Sequence, residues 1–514
     1  MKKTSFKEIE ISLPVGYSDE ELKTKIGRSV HAAEFAFEIR KKSLDARKKS
    51  NIHWVMKIFV YDKNISRNLI QSTPGLEIPM AGKKKKAIVV GSGPAGFFAA
   101  DILLRSGLEV VILERGYDVS KRTEDIENFE SSGKPVENSN YAYGEGGAGT
   151  FSDGKLTSRT KDISLERQYV FDAFVKAGGP EEIKYLAMPH LGSDNLINIA
   201  AALRRDYISR GGQILFGHQV TDIMLDGSRV KSVRAGGRVF EADHFIFAIG
   251  HSAYDTYSLL NSKGVQMESK PFAIGVRVEH PQEMINVNQW GVKDLPGLKA
   301  AEYRLTFPGR YCLPVYSFCM CPGGRVIPAT PRAGLNIVNG VSNYRRSSRY
   351  ANSAIVAAVD LEKISGKAMK FEDIAAFMED LESRAYKINN DYSAPANRIR
   401  DFIQGNVADN LPESSYPFGL IPCDFAELLP KEVIEALRFG LSDFSNKIRG
   451  FENGLMLGIE ATTSSPIRLI RDEQRRLVRF SNLYAAGEGS GYSGGIVSSA
   501  ADGILTSLAI IKSR

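Results

Sequence analysis

The segment Ala87-Ile-Val-Val-Gly91-Ser-Gly93-Pro94-Ala95-Gly96-Phe-Phe-Ala-Ala constrains the fold of this chain more than any other. Its unbroken apolar start reads as a parallel strand buried on both faces. Gly91 permits a tight turn, Gly93 lets backbone amides approach a pyrophosphate, and Gly96 lets the next helix pack close to the strand. Pro94 and Ala95 open that helix, whose free N–H groups and partial positive charge suit phosphates. A second apolar strand, Leu108-Glu-Val-Val-Ile-Leu, ends in Glu114-Arg115. Glu114 stands 21 residues after Gly93, where a carboxylate accepts hydrogen bonds from ribose hydroxyls. Strand, turn, helix, second strand and terminal acid together predict a dinucleotide site in an α/β domain.

The fingerprint occurs once, and no second Gly-x-Gly-x-x-Gly follows that would mark a separate nicotinamide domain. The chain instead ends in Asn482-Leu-Tyr-Ala-Ala-Gly487-Glu488, then Gly491-Tyr-Ser493-Gly494-Gly495-Ile496 and an apolar helix. This tail resembles the second flavin-binding element of large FAD oxidoreductases. There a strand delivers an acidic residue, Asp in many relatives and Glu488 here, to the ribityl or phosphate region. A helix N-terminus at Ser493–Ile496 facing the flavin's pyrimidine edge makes physical sense, because reduced flavin carries negative charge there. Gly217-His-Gln-Val220 looks like the strand end that contacts adenine in such folds. FAD is therefore the expected cofactor.

With both ends in place, further motifs resemble a bacterial family of FAD-dependent dehydrogenases, related to glutathione-reductase-like flavoproteins with two dinucleotide-binding folds. The most specific is Tyr143-Gly-Glu-Gly-Gly-Ala-Gly149-Thr150-Phe151-Ser152-Asp153-Gly-Lys155-Leu. Others are Pro189-His190, Gly250-His251-Ser-Ala, Arg277-Val-Glu-His280, Phe318-Cys319-Met-Cys321-Pro-Gly-Gly and Thr463-Ser-Ser-Pro. By itself, a run with five glycines between 144 and 154 excludes helix and regular strand and lets backbone approach a flat ligand. The resemblance implies that this loop, with Gly149 to Ser152 and Lys155, lines the flavin. The family often has arginine where this chain has Tyr254 and Thr462, which implies a different substrate preference.

Lys155 is the first candidate for a catalytic cation, and His251, just after a strand and Gly250, for a proton donor or substrate ligand. His190 and His280 are weaker candidates. Cys319 and Cys321 alternate along an expected strand and so share one face; a buried small-residue role, a substrate-facing or redox thiol, and metal binding all remain open. No further metal ligands stand nearby, so no metal site is assigned. Arg345, Arg346 and Arg349 read either as an anion clamp or as a solvated face.

Charge is unevenly placed. Residues 1–86 hold 19 Lys and Arg against 10 Asp and Glu, so the whole excess behind the net charge of +7 lies there. Nucleic acid, an acidic partner or a membrane surface would fit such a patch, but no aromatic residues interleave the clusters in sequence, and a solvated face with a lysine linker is the favoured reading. Ser18 with Glu21 reads as a capping box, and Ile9–Leu13 and His53–Tyr61 as strands. Pro74 to Lys86 reads as a linker. Residues 352–390 read as helical, first alanine-rich and then amphipathic from Phe371 to Tyr386.

The expected fold is α/β: a Rossmann-like FAD-binding domain (83–268 and 452–514), an inserted α+β substrate domain (269–451) and a small basic N-terminal α/β domain (1–80). The leading functional reading is an FAD-dependent oxidoreductase that transfers hydride between flavin N5 and a small molecule, with NADH or NADPH as a transient electron donor. The alternatives are a flavin-dependent RNA-modifying enzyme that docks nucleic acid on its basic first domain, and a non-catalytic flavin-binding protein. No signal-peptide-like apolar run opens Met1–Ser12, and no stretch reads as a membrane span, so a cytoplasmic location without membrane association is expected.

Overall fold

The computed structural model describes residues 7–62, 75–82 and 85–513. Part of the expected linker, including Pro74, Lys83 and Lys84, lies outside them. The fingerprint strand Lys86–Val90 sits at the centre of a five-stranded parallel sheet. On one side it pairs with Glu109–Leu113, which pairs with Gln213–Leu215. On the other it pairs with His244–Phe247, which pairs with Leu483–Ala485 from the chain's end. Parallel strands need both faces covered, and the continuous apolar runs at 87–90 and 110–113 meet that need. The helices Pro94–Arg105 and Ile496–Lys512 pack on one face around Phe98, Ile102, Val497 and Ile504. A Cβ on Gly503 would stand 2.1 Å from the Ala95 carbonyl oxygen, so only glycine allows the two helices this approach. An antiparallel meander, Val220–Asp226, Arg229–Ala235 and Arg238–Glu241, branches from this domain.

The second large sheet has eight strands. Phe272–Pro281 lies between Tyr350–Val359 and Leu455–Glu460, antiparallel to both, and Val315–Pro328 pairs beyond Tyr350–Val359. Among the described residues the only parallel pair in this sheet is Ala394–Arg398 with Leu420–Pro422. The inserted domain is thus not a parallel dinucleotide fold, and it differs in this from the two-fold arrangement of glutathione-reductase-like flavoproteins. Leu455–Glu460 belongs to this sheet, so residues 452–460 lie with the inserted domain rather than with the returning FAD-binding part. The return comes only at Leu483–Ala485.

The alanine-rich segment at 351–359 corrects a second expectation: it is a strand, not a helix. Alanine favours helix on propensity alone. Here the segment pairs along ten residues with Phe272–Pro281 and is almost wholly buried. Gly275 comes so near that a Cβ on it would stand 2.1 Å from the Ile355 carbonyl oxygen. Small side chains let the sheet lie flat under the helix Lys431–Lys447, and burial overrides propensity. The helix Phe371–Lys387 forms as the amphipathic pattern predicts.

The N-terminal residues form a three-stranded antiparallel sheet, Lys7–Pro14, His53–Tyr61 and Ala36–Asp45, with the middle strand last in sequence. Helix Asp19–Val30 covers it and is capped by Ser18 and Glu21 as expected. Ala36–Asp45 was not foreseen as a strand because Arg40-Lys41-Lys42 breaks its apolar pattern. Those cations find aromatic partners across the sheet: Lys42 lies over Trp54 at 4.4 Å and Tyr17 at 4.9 Å, and Arg40 over Phe59 at 5.2 Å. The Lys42 backbone also exchanges hydrogen bonds with Tyr185 and Ala187, tying this module to the rest of the chain. Among the described residues no helix is long and apolar enough to cross a membrane.

Candidate functional site

A cavity of about 540 Å³ opens where the parallel sheet, the glycine loop and the eight-stranded sheet meet. The carboxyl end of the fingerprint strand forms one wall, with Gly91, Gly93, Pro94 and Ala95. Gly96 does not line it. A Cβ there would meet the Gly91 carbonyl oxygen at 2.0 Å, so its part is to let helix and strand close up. The helix that follows has no side-chain cap over its first amides, and neither does the C-terminal helix Ile496–Lys512, whose N-cap is Gly495. Both N-termini face the cavity, the second through Gly494, Gly495 and Ile496. Two uncapped helix ends in one cavity are suited to a ligand with negative charge at two places.

Glu114 lines the cavity but is 4% exposed. Its carboxylate accepts from the Ser92 N–H, the Ser92 hydroxyl and the Gly116 N–H, each at 2.8 Å. Those donors fix its aim, and a carboxylate with about four acceptor positions keeps room for a ribose hydroxyl. Beside it, Arg115 donates to both Asp255 oxygens at 2.7 and 2.8 Å and stacks over Tyr143 at 4.4 Å. Gly250 and Val220, the first residue of the meander, complete this end.

The glycine loop folds over the fingerprint turn. A Cβ on Gly147 would stand 3.1 Å from the Gly93 Cα. Arg122, fully buried, holds the loop by donating to the carbonyls of Asn140, Tyr141, Glu145 and Gly147. Its guanidinium lies over the Phe151 ring at 4.7 Å. This clasp turns Thr150 and Phe151 away from the cavity, contrary to expectation, and Thr150 donates to the Glu145 carbonyl instead. Gly149, Ser152 and Lys155 do line it. Ser493 does not, and its hydroxyl meets that of Ser499 at 3.2 Å.

Lys155 is an anchored cation. Its ammonium lies 2.8 Å from Asp153 and donates to the Met320 carbonyl. Burial opposes its charge, but Asp153 outweighs burial and holds the lysine above its ordinary range. Asp153 is itself buried; despite that burial, Lys155 and Arg346 keep its carboxyl well below the usual carboxylate range. Arg346 reaches Asp153 at 2.6 Å, so it is committed to that contact rather than free to clamp an anion. Arg345 is exposed, and Arg349 pairs with Glu413 at the surface.

His251 lines the cavity, and its Nδ1 lies 2.8 Å from the Ser252 hydroxyl. Burial pushes its pKa down to about 4, which leaves it neutral at pH 7. His190 and His280 stand outside the cavity. The first packs on Tyr344 and the second on Phe451, each with a ring nitrogen at its neighbour's carbonyl. Glu488 lines the cavity half-buried, and burial, partly offset by Lys270, lifts its pKa to about 7.

The far wall comes from the inserted sheet: Tyr316, Phe318, Cys319 and Asn339, with Thr462 and Thr463 beside them. The sequence left a substrate-facing Cys319 open and tied Thr462 to substrate preference, but it offered no role for Tyr316 or Asn339. Buried Arg277 supports it, bonding Glu460 at 3.0 Å, Asn352 at 2.6 Å, Asn339 at 3.0 Å and the Cys319 carbonyl at 3.4 Å. Burial lifts Glu460 while Arg277 draws it back, and the 3.0 Å contact is that of an ion pair. The two cysteines do not alternate simply. The strand bulges between Phe318 and Cys321, and Cys319 takes φ 43, so Cys319 faces the cavity while Cys321 is buried. The quoted Phe-Cys-Met-Cys-Pro-Gly-Gly motif held this signal, because paired glycines in a strand often mark a bulge.

Residues 84–123, which carry the fingerprint, match an FAD binding domain, and residues 271–463 match the family described as FAD-dependent protein, C-terminal domain-like. Residues 5–61 match a domain of unknown function. An uncharacterised protein of Clostridium beijerinckii (strain ATCC 51743 / NCIMB 8052) is 40% identical over 498 residues, spanning 92% of each chain. Solved structures are similar only at a distance. L-proline dehydrogenase from P. horikoshii shares 11% identity over 85% of this chain and 95% of its own, with a TM-score of 0.35. Flavin-dependent brominase Bmp2 shares 13% over 84% and 80%, with a TM-score of 0.38. Likenesses this remote carry no argument. The uncapped helix ends and the Glu114 carboxylate fit FAD, which is the cofactor of this chain. The fingerprint domain, the inserted sheet and the full-length relative converge, and the chain belongs to the family of FAD-dependent proteins.

Proposed function

We propose that this chain is an FAD-dependent oxidoreductase that exchanges a hydride equivalent with a small-molecule substrate, with NADH or NADPH as a transient electron donor. The observation that carries the reading is the cavity itself. Two uncapped helix N-termini and Glu114 form its dinucleotide side, and side chains of a second sheet form the other. Bound there, FAD supplies the two-electron chemistry. The chain's own residues bind and orient. The amides of Gly93 and Ala95 hold the phosphates, and Glu114 holds the ribose. The amides of Gly495 and Ile496 stabilise negative charge on the ring's pyrimidine edge. Glu488 stands at the same end and, with a pKa of about 7, can hold or release a proton near neutral pH. Lys155 fixes positive charge on the loop, and neutral His251 offers a ring nitrogen for hydrogen bonding to substrate. The wall of Tyr316, Phe318 and Thr462 shapes the substrate side.

The test is anaerobic stopped-flow reduction of the purified yellow protein by NADH and NADPH, followed by reoxidation with a panel of metabolites. Bleaching by one nucleotide and recovery with one compound class is the expected result. A yellow protein that no donor reduces and no acceptor reoxidises would overturn the enzymatic reading and leave a flavin-binding role.

A further inference from the structure

Asn339 lines the cavity from strand Val338–Ser342 of the inserted sheet. Its Oδ1 accepts two hydrogen bonds, from the Arg277 Nη2 at 3.0 Å and from the Gly340 N–H at 2.7 Å. These two donors fix which way the amide faces, because neither a guanidinium nor a backbone N–H can accept. A flipped amide would set its NH2 against both and leave each without an acceptor, which is costly in a buried setting. Nδ2 is therefore turned away from them. It donates to no described residue, and the half-buried side chain has its open side on the cavity.

Arg277 cannot turn aside either. It is fully buried, with Glu460 at 3.0 Å from its Nε and the Asn352 Oδ1 at 2.6 Å from its Nη1. Gly340 makes room for this packing: a Cβ on it would stand 2.1 Å from the Asn352 Oδ1 and 2.4 Å from the Arg277 Nη1. Nη1 also reaches the Cys319 carbonyl at 3.4 Å, which sets Asn339 beside the Phe318-Cys319 part of the wall. Phe318 and Tyr316 line the cavity with aromatic surface there. The cations that support this wall are matched one for one. Glu460 pairs with Arg277, Asp153 with Lys155, and Glu302 with Arg346, which also meets Asp153. None of these three is left over for an anion, and an unmatched charge is unfavourable in a buried site. What the wall offers is one uncharged donor whose direction is fixed.

We propose that Asn339 is a specificity-determining residue whose Nδ2 donates to the carbonyl oxygen of an uncharged substrate, a ketone whose apolar body lies against Tyr316 and Phe318. The inference rests on the proposed oxidoreductase reading, in which this wall is the substrate side, and it names the class of compound bound there. A donor held in place beforehand needs no reorganisation when it meets its acceptor. The same rigidity rejects the wrong partner. An ammonium or amidinium group meets Nδ2 donor against donor, and a carboxylate brings a charge that the paired cations do not cancel.

The test is calorimetric binding of three fragments of similar shape to the purified holoprotein: acetophenone, an uncharged ketone; benzoate, an anion; and benzamidine, a cation with donors only. Acetophenone should bind the wild type about tenfold tighter than either of the others. Asn339→Asp keeps an acceptor for Arg277 and removes the donor. It should weaken acetophenone about tenfold and strengthen benzamidine. The carbonyl stretch of bound acetophenone should lie at lower frequency in the wild type than in the variant. If Asn339→Asp does not fold, Asn339→Ser and the wild-type ranking still decide. Wild type that binds no acetophenone, or binds benzoate or benzamidine as tightly, overturns the assignment, and so does an unchanged acetophenone affinity in the variant. A variant whose flavin midpoint potential shifts while its fragment affinities do not also overturns it, because the amide then serves the flavin and not the substrate. The anaerobic reduction assay reports separately on the reading beneath: a protein that ranks the fragments as stated but is reduced by no donor keeps the carbonyl site and loses the oxidoreductase.

Discussion

The two walls of the cavity are made differently. The fingerprint wall, from Val90 to Ala95 with the loop Gly144–Gly149, is mostly backbone, and its amides and small residues offer a surface that any phosphate-bearing cofactor can approach. The opposing wall, from the inserted sheet, is mostly side chain. It hangs on a buried charge network of Arg277, Glu460, Asp153, Lys155 and Arg346. The contrast separates two tasks. Holding a cofactor needs close approach and fixed dipoles, which main chain supplies. Directing chemistry needs groups whose charge and protonation are tuned, which side chains in a dry sheet supply.

The largest expected effect breaks the backbone wall. Gly96→Val places a branched side chain against the Gly91 carbonyl oxygen, which a Cβ alone would meet at 2.0 Å. Backbone cannot give way there as a flexible side chain could, and a loss of about 4 kcal/mol or more is expected. Little folded protein and no retained flavin should result, read by thermal unfolding and visible absorbance. A stable yellow variant would show that helix and strand need not meet so closely.

On the side-chain wall, Arg277→Met strands Glu460 in a buried site, and a cost of about 3–5 kcal/mol is expected. The double variant Arg277→Met with Glu460→Leu should recover most of that stability while losing the support of Asn339 and the Cys319 carbonyl. Chemical denaturation measures both. If the double variant is no more stable than the single one, the network is worth more than the desolvation it costs.

The smallest effect sharpens the contrast where the two walls share a titrating group. The folded pKa of Glu488, about 7, lies above its ordinary value of 4.5. Its contribution to stability is therefore complete below about pH 4.5 and is lost as pH rises through 7, on the order of 3 kcal/mol. Glu488→Gln should remove that part of the slope, measured by thermal unfolding of flavin-free protein between pH 4.5 and 8. An unchanged slope would assign it to Glu460 or Glu382, which are raised in the same way.

The backbone wall was readable in the sequence because glycine is selected by geometry that stays local. Gly91, Gly93 and Gly96 sit within a few residues of the strand and helix they join, and each has its own steric reason. The side-chain wall was not readable, because Asp153 meets Arg346 across 193 residues and Arg277 meets Glu460 across 183. Two local readings also failed for want of context. Alanine at 351–359 favours helix until a ten-residue ladder and burial on both faces decide for strand. Period-two alternation put Cys319 and Cys321 on one face until a bulge separated them.

By itself, then, the sequence determined a dinucleotide-binding turn, the acid at its second strand, the flavin-type tail and a capped helix in the first module, all set by steric and hydrogen-bonding rules acting over a few residues. Only the tertiary structure decided that the tail's strand closes the first sheet, that Thr150 and Phe151 turn away from the cavity under Arg122, and that a bulged strand brings a thiol to the cavity. Those outcomes depend on which distant surfaces are buried together, and burial, unlike a turn, is a property of the whole chain.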